Sequence, residues 1–145
     1  MRKKITIFGS TGSVGDSTLD ILNLHKDKFE LIGLTINKNY KKLINQIKIF
    51  KPKVVSIRDE IAYQEFKKEN PDPSIEVLSG KDCLVDILDY EVDFIMASIV
   101  GSAGLLPVIK AAEKGIDIGL ANKESLVCSG NILKKILNKT KSNLL

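Results

Sequence analysis

At 145 residues the chain falls within the single-domain range, long enough to bury about two-thirds of its unfolded surface around one core. Its 43% hydrophobic and 28% charged residues exclude a disordered chain. The 22 Lys and Arg against 18 Asp and Glu give a net charge of +4. The lysines are spread over nearly every candidate helix without interleaved aromatics, which argues against a nucleic-acid-stacking platform.

Lys4 to Gly9 is a short β-branched run ending in glycine, and Val14, Thr18, Ile21, Leu22 and His25 then recur at helical spacing, so strand, turn and helix follow one another. Phe29 to Ile36 is nearly continuous in apolar residues, as in a parallel strand covered on both faces. Asn39 can cap the next helix, whose stripe of Tyr40, Leu43, Ile44, Ile47 and Phe50 stops at Pro52. A strand at Val54–Ile57, a helix from about Asp59 to Glu69, a strand at Ile75–Leu78 and a short helix at Cys83–Leu88 come next. Asp93–Ser98 reads as a strand, Leu105–Lys114 as a helix stopped by Gly115, Ile116–Ala121 as a strand, and about Gly130–Lys139 as a last helix burying Leu133, Ile136 and Leu137. The alternation predicts an α/β, Rossmann-like doubly wound, mostly parallel sheet with helices on both faces, forming one domain over residues 1–145. Ser142–Leu145 looks like the entry to a further strand, which suggests a truncated chain.

Cys83 and Cys128 form no Cys-x-x-Cys pair, so there is no zinc or redox motif and a reducing compartment fits. No segment approaches the roughly 18 apolar residues needed to span a bilayer, and Met1–Lys4 lead directly into the first strand. A cytoplasmic protein is expected. His25 reads as a packing or surface residue, and no convergent carboxylate cluster for a metal is visible.

The chemistry concentrates in Gly9-x-x-Gly12-x-x-Gly15, between a strand and a helix, the context of a dinucleotide-binding turn. Gly9 allows the tight turn, Gly12 lets backbone approach a pyrophosphate, and Gly15 lets the helix pack closely on the sheet. Thr11 and Ser13 add hydroxyls, and the helix N-terminus from Ser13 adds free amides and its dipole. The bland alternative is a turn that only joins strand to helix. The second strand ends in Asn37-Lys38-Asn39, without the Asp or Glu that would repel a 2′-phosphate, and Lys38, Lys41 and Lys42 offer charge to one. A preference for NADPH over NADH is therefore expected, against the alternative of a merely solvated loop. Glu30 lies about 20 residues past the turn, the usual spacing for a ribose-binding acid, but opens its strand and so sits at the wrong edge. A second small-residue turn, Val100–Gly104, and the run Asn122-Lys123-Glu124-Ser125 follow the next two strands and should converge on the same cleft; the run also reads as an ordinary helix cap.

Gly-Ser-Thr-Gly-Ser-Val-Gly from Gly9, Ile-Val-Gly-Ser-Ala-Gly-Leu-Leu-Pro from Ile99 and Leu-Ala-Asn-Lys-Glu-Ser-Leu-Val from Leu120 together resemble the 1-deoxy-D-xylulose 5-phosphate reductoisomerase family, over residues 2–145. The resemblance implies NADPH contacts from Thr11, Gly12, Ser13, Val14, Asn37, Lys38, Asn39, Asn122 and Glu124, and a sugar-phosphate substrate at Lys123. It also implies a Mg²⁺- or Mn²⁺-dependent, homodimeric full-length enzyme. The family often has Gly before the Lys-Asn pair where this chain has Asn37, which tolerates a left-handed turn. It continues into a metal-binding segment, a catalytic domain with a flap and a helical domain, so these 145 residues are expected to be inactive by themselves. Another NADP-dependent reductase, such as a homoserine dehydrogenase relative, and a non-catalytic nucleotide sensor are the alternatives; the Ala-Asn-Lys-Glu-Ser run speaks against the first.

Overall fold

The computed structural model describes residues 1–99, 102–121 and 123–145, apart from the side chains of residues 102 and 123–129. Six strands, β1 (Lys3–Phe8), β2 (Phe29–Ile36), β3 (Val54–Ile57), β4 (Glu76–Ser79), β5 (Phe94–Ala97) and β6 (Asp117–Leu120), form one sheet in the order β4-β3-β2-β1-β5-β6. Every pairing is parallel. The chain winds outward from β1 to β4, then returns to the other side of β1 for β5 and β6. This reversal creates the switch point at which open α/β sheets bind ligands beyond their carboxyl ends.

Parallel strands need crossovers, and the helices supply them on two faces. Helices α1 (Ser13–Leu24), α2 (Tyr40–Phe50) and α3 (Glu60–Glu69) bury Leu19, Leu22, Leu43, Ile44, Ile47, Ala62 and Phe66 against Ile5, Ile7, Leu34 and Ile57. On the other face α4 (Cys83–Asp86) runs on into a 3-10 turn at Ile87–Asp89, and α5 (Leu105–Glu113) and α6 (Lys123–Thr140) follow. Ile87, Leu88, Val108, Ala111, Ala112 and Leu133 from this layer pack on Phe8, Ile95 and Ile118. Each fully buried Leu, Ile or Phe adds about 1.5–3 kcal/mol relative to exposure.

The anticipated strands stand within two residues of their expected bounds, and the α/β doubly wound fold is as expected. Three readings need correction. The stripe of α1 is Gly15, Leu19 and Leu22, whereas Val14 and Ile21 are exposed and His25 lies at the exposed C-cap, because the sheet takes the adjacent helix face. The last helix begins at Lys123 rather than near Gly130. Gly130 sits inside it without breaking it, since the flanking turns are long enough to absorb its modest helix penalty. The Cys83–Leu88 helix is α4 plus a 3-10 turn. The strand-like ending proves to be a parallel bridge between Leu144 and Ile118, in which the Leu145 amide donates to the Ile118 carbonyl at 2.8 Å. Among the described residues no helix is long and apolar enough to cross a membrane.

Cys83 is fully buried, and burial pushes its thiol up to about 11, outweighing the opposing pull of Arg58. The thiolate is the reactive form, so Cys83 is expected to resist iodoacetamide at pH 8 in the folded chain and to react once urea is added. Peptide mass mapping reads it separately from Cys128. Rapid labelling of Cys83 without denaturant would contradict the burial of α4.

Candidate functional site

The turn between β1 and α1 is held from three sides. From β2, the Thr35 carbonyl accepts the amides of Gly9 and Ser10 at 3.1 and 3.0 Å, and the Thr35 hydroxyl also accepts from Gly9 at 3.0 Å. From the end of β5, the Ser98 hydroxyl donates to the carbonyls of Phe8 at 2.6 Å and Gly9 at 3.2 Å. From α2, Gln46 is buried and makes a reciprocal pair with Ser10: its Nε2 donates to the Ser10 carbonyl at 2.8 Å, and its Oε1 accepts the Ser10 hydroxyl at 2.9 Å. Lys42, one helical turn earlier, donates to the Thr11 carbonyl at 3.0 Å and is ion-paired with Asp16.

The three glycines of the turn do separate jobs. Gly9 has φ +81°, in the region that favours glycine. A Cβ on Gly15 would lie 2.5 Å from the carbonyl oxygens of both Gly9 and Ser10, so α1 can approach the turn only with glycine there. A Cβ on Gly12 would meet nothing closer than the Gly9 carbonyl at 3.8 Å. The fold therefore does not itself require Gly12, which forms the N-cap of α1 with no side-chain cap on the helix end. First-turn amides and the helix dipole are left facing outward, an arrangement suited to an anion.

That end opens on a cleft of about 330 Å³ at the carboxyl ends of the strands, lined by Gly9, Thr11 and Gly12 of the turn, Thr35, Ile36 and Asn37 from β2, Ser98, Ile99 and Ala103 after β5, and Arg58 and Leu84. No carboxylate is among these residues. A more voluminous cleft of about 410 Å³, walled by Arg2, Lys26, Glu30, Lys51 and Lys53, lies at the opposite, amino-terminal edge, away from the helix end and the glycine turn. Glu30 stands there, ion-paired with Lys53 at 2.9 Å, and that hydrogen bond holds its carboxyl below the usual range. As its place in the strand predicted, it is far from the turn.

Of the residues singled out from the sequence, Thr11, Gly12 and Asn37 line the carboxyl-edge cleft. Ser13 and Val14 are exposed in the first turn of α1, and Lys38 is exposed in the loop after β2. Asn39 serves the protein itself, since its Oδ1 caps α2 by accepting the Lys42 amide at 3.2 Å. Two expectations are corrected. Lys42 is committed to Thr11 and Asp16 rather than offered to a ligand. Asn37 does not use the left-handed region; Lys51 and Lys141 are the non-glycine residues with positive φ among those described. Asn122 and the side chains of Lys123 and Glu124 lie outside the described residues, and the backbone places Lys123 and Glu124 in the first turn of α6. Val100 and Gly101 also lie outside them, and Ser102–Gly104 form a 3-10 turn.

Arg58 and Gln46 carry no local sequence motif. Arg58 is brought in by register: its amide donates to the Ile36 carbonyl and that of Asp59 to the Asn37 carbonyl, both at 3.1 Å, so the ends of β2 and β3 run side by side. Gln46 could have been noticed as the polar interruption in the apolar stripe of α2.

With this geometry in place, the sequence profile of the 1-deoxy-D-xylulose 5-phosphate reductoisomerase family matches residues 5–130. The chain belongs to that family. It is 44% identical over 143 residues to the reductoisomerase of Caldanaerobacter subterraneus subsp. tengcongensis, covering 99% of this chain and 37% of that protein. Against the reductoisomerase of Saccharophagus degradans it is 45% identical over 133 residues, 90% of this chain and 34% of that one. The chain thus spans little more than a third of the length of these curated relatives. The reductoisomerase of Zymomonas mobilis, solved in complex with NADPH, superposes with a TM-score of 0.94 at 36% identity, over 100% of this chain and 38% of that one. A reductoisomerase solved with NADPH, fosmidomycin and magnesium gives 0.89 at 34% identity, over 99% of this chain and 36% of that one. A homoserine dehydrogenase from Thiobacillus denitrificans gives 0.62 at 14% identity over 99% of this chain and 29% of its own, a likeness of fold alone.

The site geometry makes a sharp contrast between two glycines. Gly15→Ala should destabilise the chain by at least about 2 kcal/mol in urea unfolding, because backbone rather than a flexible side chain must yield. Gly12→Ala should cost about 1 kcal/mol or less, the loss of a good N-cap residue. Equal costs would show that the turn is not packed in this way. Gln46→Ala, which leaves both Ser10 oxygen functions without their partner, should fall between about 1 and 3 kcal/mol.

Proposed function

We propose that the chain is the NADPH-binding domain of a 1-deoxy-D-xylulose 5-phosphate reductoisomerase. The family enzyme isomerises 1-deoxy-D-xylulose 5-phosphate and reduces the product with NADPH to 2-C-methyl-D-erythritol 4-phosphate, in non-mevalonate isoprenoid biosynthesis. The observation that carries the reading is the uncapped N-terminus of α1, fronted by a Gly12 that the fold does not need, opening on a cleft whose described lining holds no carboxylate. A likeness at TM-score 0.94 to a reductoisomerase solved with NADPH supports it.

In this reading the amides of Ser13 and Val14 and the hydroxyls of Thr11 and Ser13 bind the diphosphate, and the bare backbone at Gly12 lets it approach. Asn37, Lys38 and Asn39 serve the 2′-phosphate edge, with Lys38 as the cation and Asn39 acting through the helix it caps. Asn122 and Glu124 serve the nicotinamide end and Lys123 the sugar-phosphate substrate; the backbone of Lys123 and Glu124 opens α6, the element that follows β6. When bound, NADPH supplies the hydride, and the protein's part is to orient it and exclude water. The divalent metal, Mg²⁺ or Mn²⁺, belongs in this reading to the full-length enzyme. The intact protein is read as a cytoplasmic homodimer that binds neither nucleic acid nor membrane.

Calorimetric titration should give clearly tighter binding of NADPH than of NADH, since the end of β2 offers Lys38 and no carboxylate. Lys38→Glu should narrow that difference by weakening NADPH selectively. Equal affinity of the unmodified chain for both cofactors would refute the preference. Gly12→Val should abolish binding while leaving far-ultraviolet circular dichroism unchanged.

A polypeptide of these 145 residues should bind NADPH without oxidising it when 1-deoxy-D-xylulose 5-phosphate and Mn²⁺ are added. Polarising the substrate oxygens requires hard ligands around a metal and a closed pocket, which this reading places outside the chain. Substrate-dependent loss of NADPH absorbance above the blank would place a metal site within these residues.

A further inference from the structure

Within the cleft, Arg58 is the one charged residue on the described lining. It follows β3 directly, and the 3.1 Å hydrogen bond from its amide to the Ile36 carbonyl sets it beside Asn37, at the point where doubly wound folds recognise the adenosine ribose. It forms no ion pair among the described residues. The adjacent Asp59 is not ion-paired with it; that carboxylate caps α3 by accepting the Ala62 amide at 2.9 Å. Ile36 and Leu84 are almost entirely buried and give the same cleft apolar lining. An exposed guanidinium in a cleft with apolar lining, beside an uncharged strand end, matches the chemistry of an adenosine carrying a phosphate on its ribose.

We propose that Arg58 is a cofactor-specificity residue, its guanidinium pairing with the 2′-phosphate of the dinucleotide from the β3 side while Lys38 serves it from the β2 side. This rests on the NADPH reading above and assigns part of the discrimination to a residue outside the glycine turn and outside the Asn37-Lys38-Asn39 run. A guanidinium suits the task because it can grip a phosphate through two parallel N–H donors and never loses its charge at neutral pH. Lysine at this position keeps the charge and loses the paired geometry.

The test is titration of the chain and of its Arg58→Ala and Arg58→Lys variants with four probes: NADPH, NADH, adenosine 2′,5′-bisphosphate and adenosine 5′-monophosphate. Arg58→Ala should weaken NADPH and the bisphosphate roughly tenfold, in line with loss of a hydrogen-bonded charge contact. It should leave NADH and the monophosphate within about twofold, the change expected of removing an exposed side chain. Arg58→Lys should recover part of the loss, and circular dichroism of both variants should match the parent. Unchanged NADPH affinity in Arg58→Ala overturns the proposal, as does an equal loss for NADPH and NADH, which would mark Arg58 as a support for the adenine or for the fold. A parent chain that fails to distinguish NADPH from NADH overturns the cofactor reading itself. Preference retained by the parent, with Arg58→Ala behaving alike, overturns only the role of Arg58.

Discussion

Ser10 and Gln46 exchange two hydrogen bonds in a buried site, and the geometry of the turn depends on that exchange. A sharp strand-to-helix reversal leaves backbone groups without partners in sheet or helix, and a buried unpaired group costs about 1–3 kcal/mol. Gln46 satisfies the Ser10 carbonyl from a neighbouring helix, and Lys42 does the same for Thr11. The turn thus needs no partner on its outer side, and the amides at the start of α1 remain available there.

The same arrangement explains how a negatively charged residue can stand in the first turn of a helix that, in the proposed function, faces a diphosphate. Asp16 favours the helix end through the dipole but would repel an anion. Its pairing with Lys42, and a longer 3.4 Å contact from Gln46, direct its charge toward α2 and away from the cleft. Fold and site are therefore coupled through α2: its apolar face packs on the sheet, while two of its polar residues shape the turn. The sheet contributes the remaining anchors, Thr35 on one side and Ser98 on the other, so the turn is fixed by the strands flanking β1 as well as by α2.

Sheet order then decides which strand ends share the cleft. Because β2 and β3 lie on one side of β1 and β5 and β6 on the other, an elongated two-ended ligand can lie across the switch point with its ends over different halves. Arg58 and Asn37 stand at one half, and Ser98, Ile99 and the end of β6 stand at the other.

From residues alone, the α/β alternation, the strand positions and the glycine turn were legible, because each is a local pattern: apolar runs for covered strands, helical stripes, and glycines where backbone must turn or come close. The local pattern of Glu30 also sufficed to exclude it, since the amino end of a parallel strand cannot face the cleft. Local pattern does not fix the face that α1 buries, because neighbouring stripes compete and only packing against the sheet selects Gly15, Leu19 and Leu22. Local pattern starts the last helix at about Gly130, whereas the backbone tolerates that residue within a longer element that begins at Lys123. The commitment of Lys42 to Asp16, the reciprocal pairing of Gln46 with Ser10 and the arrival of Arg58 beside Asn37 join residues distant in the chain. Such contacts follow from strand order and helix placement, which local periodicity does not encode, so tertiary structure decided them.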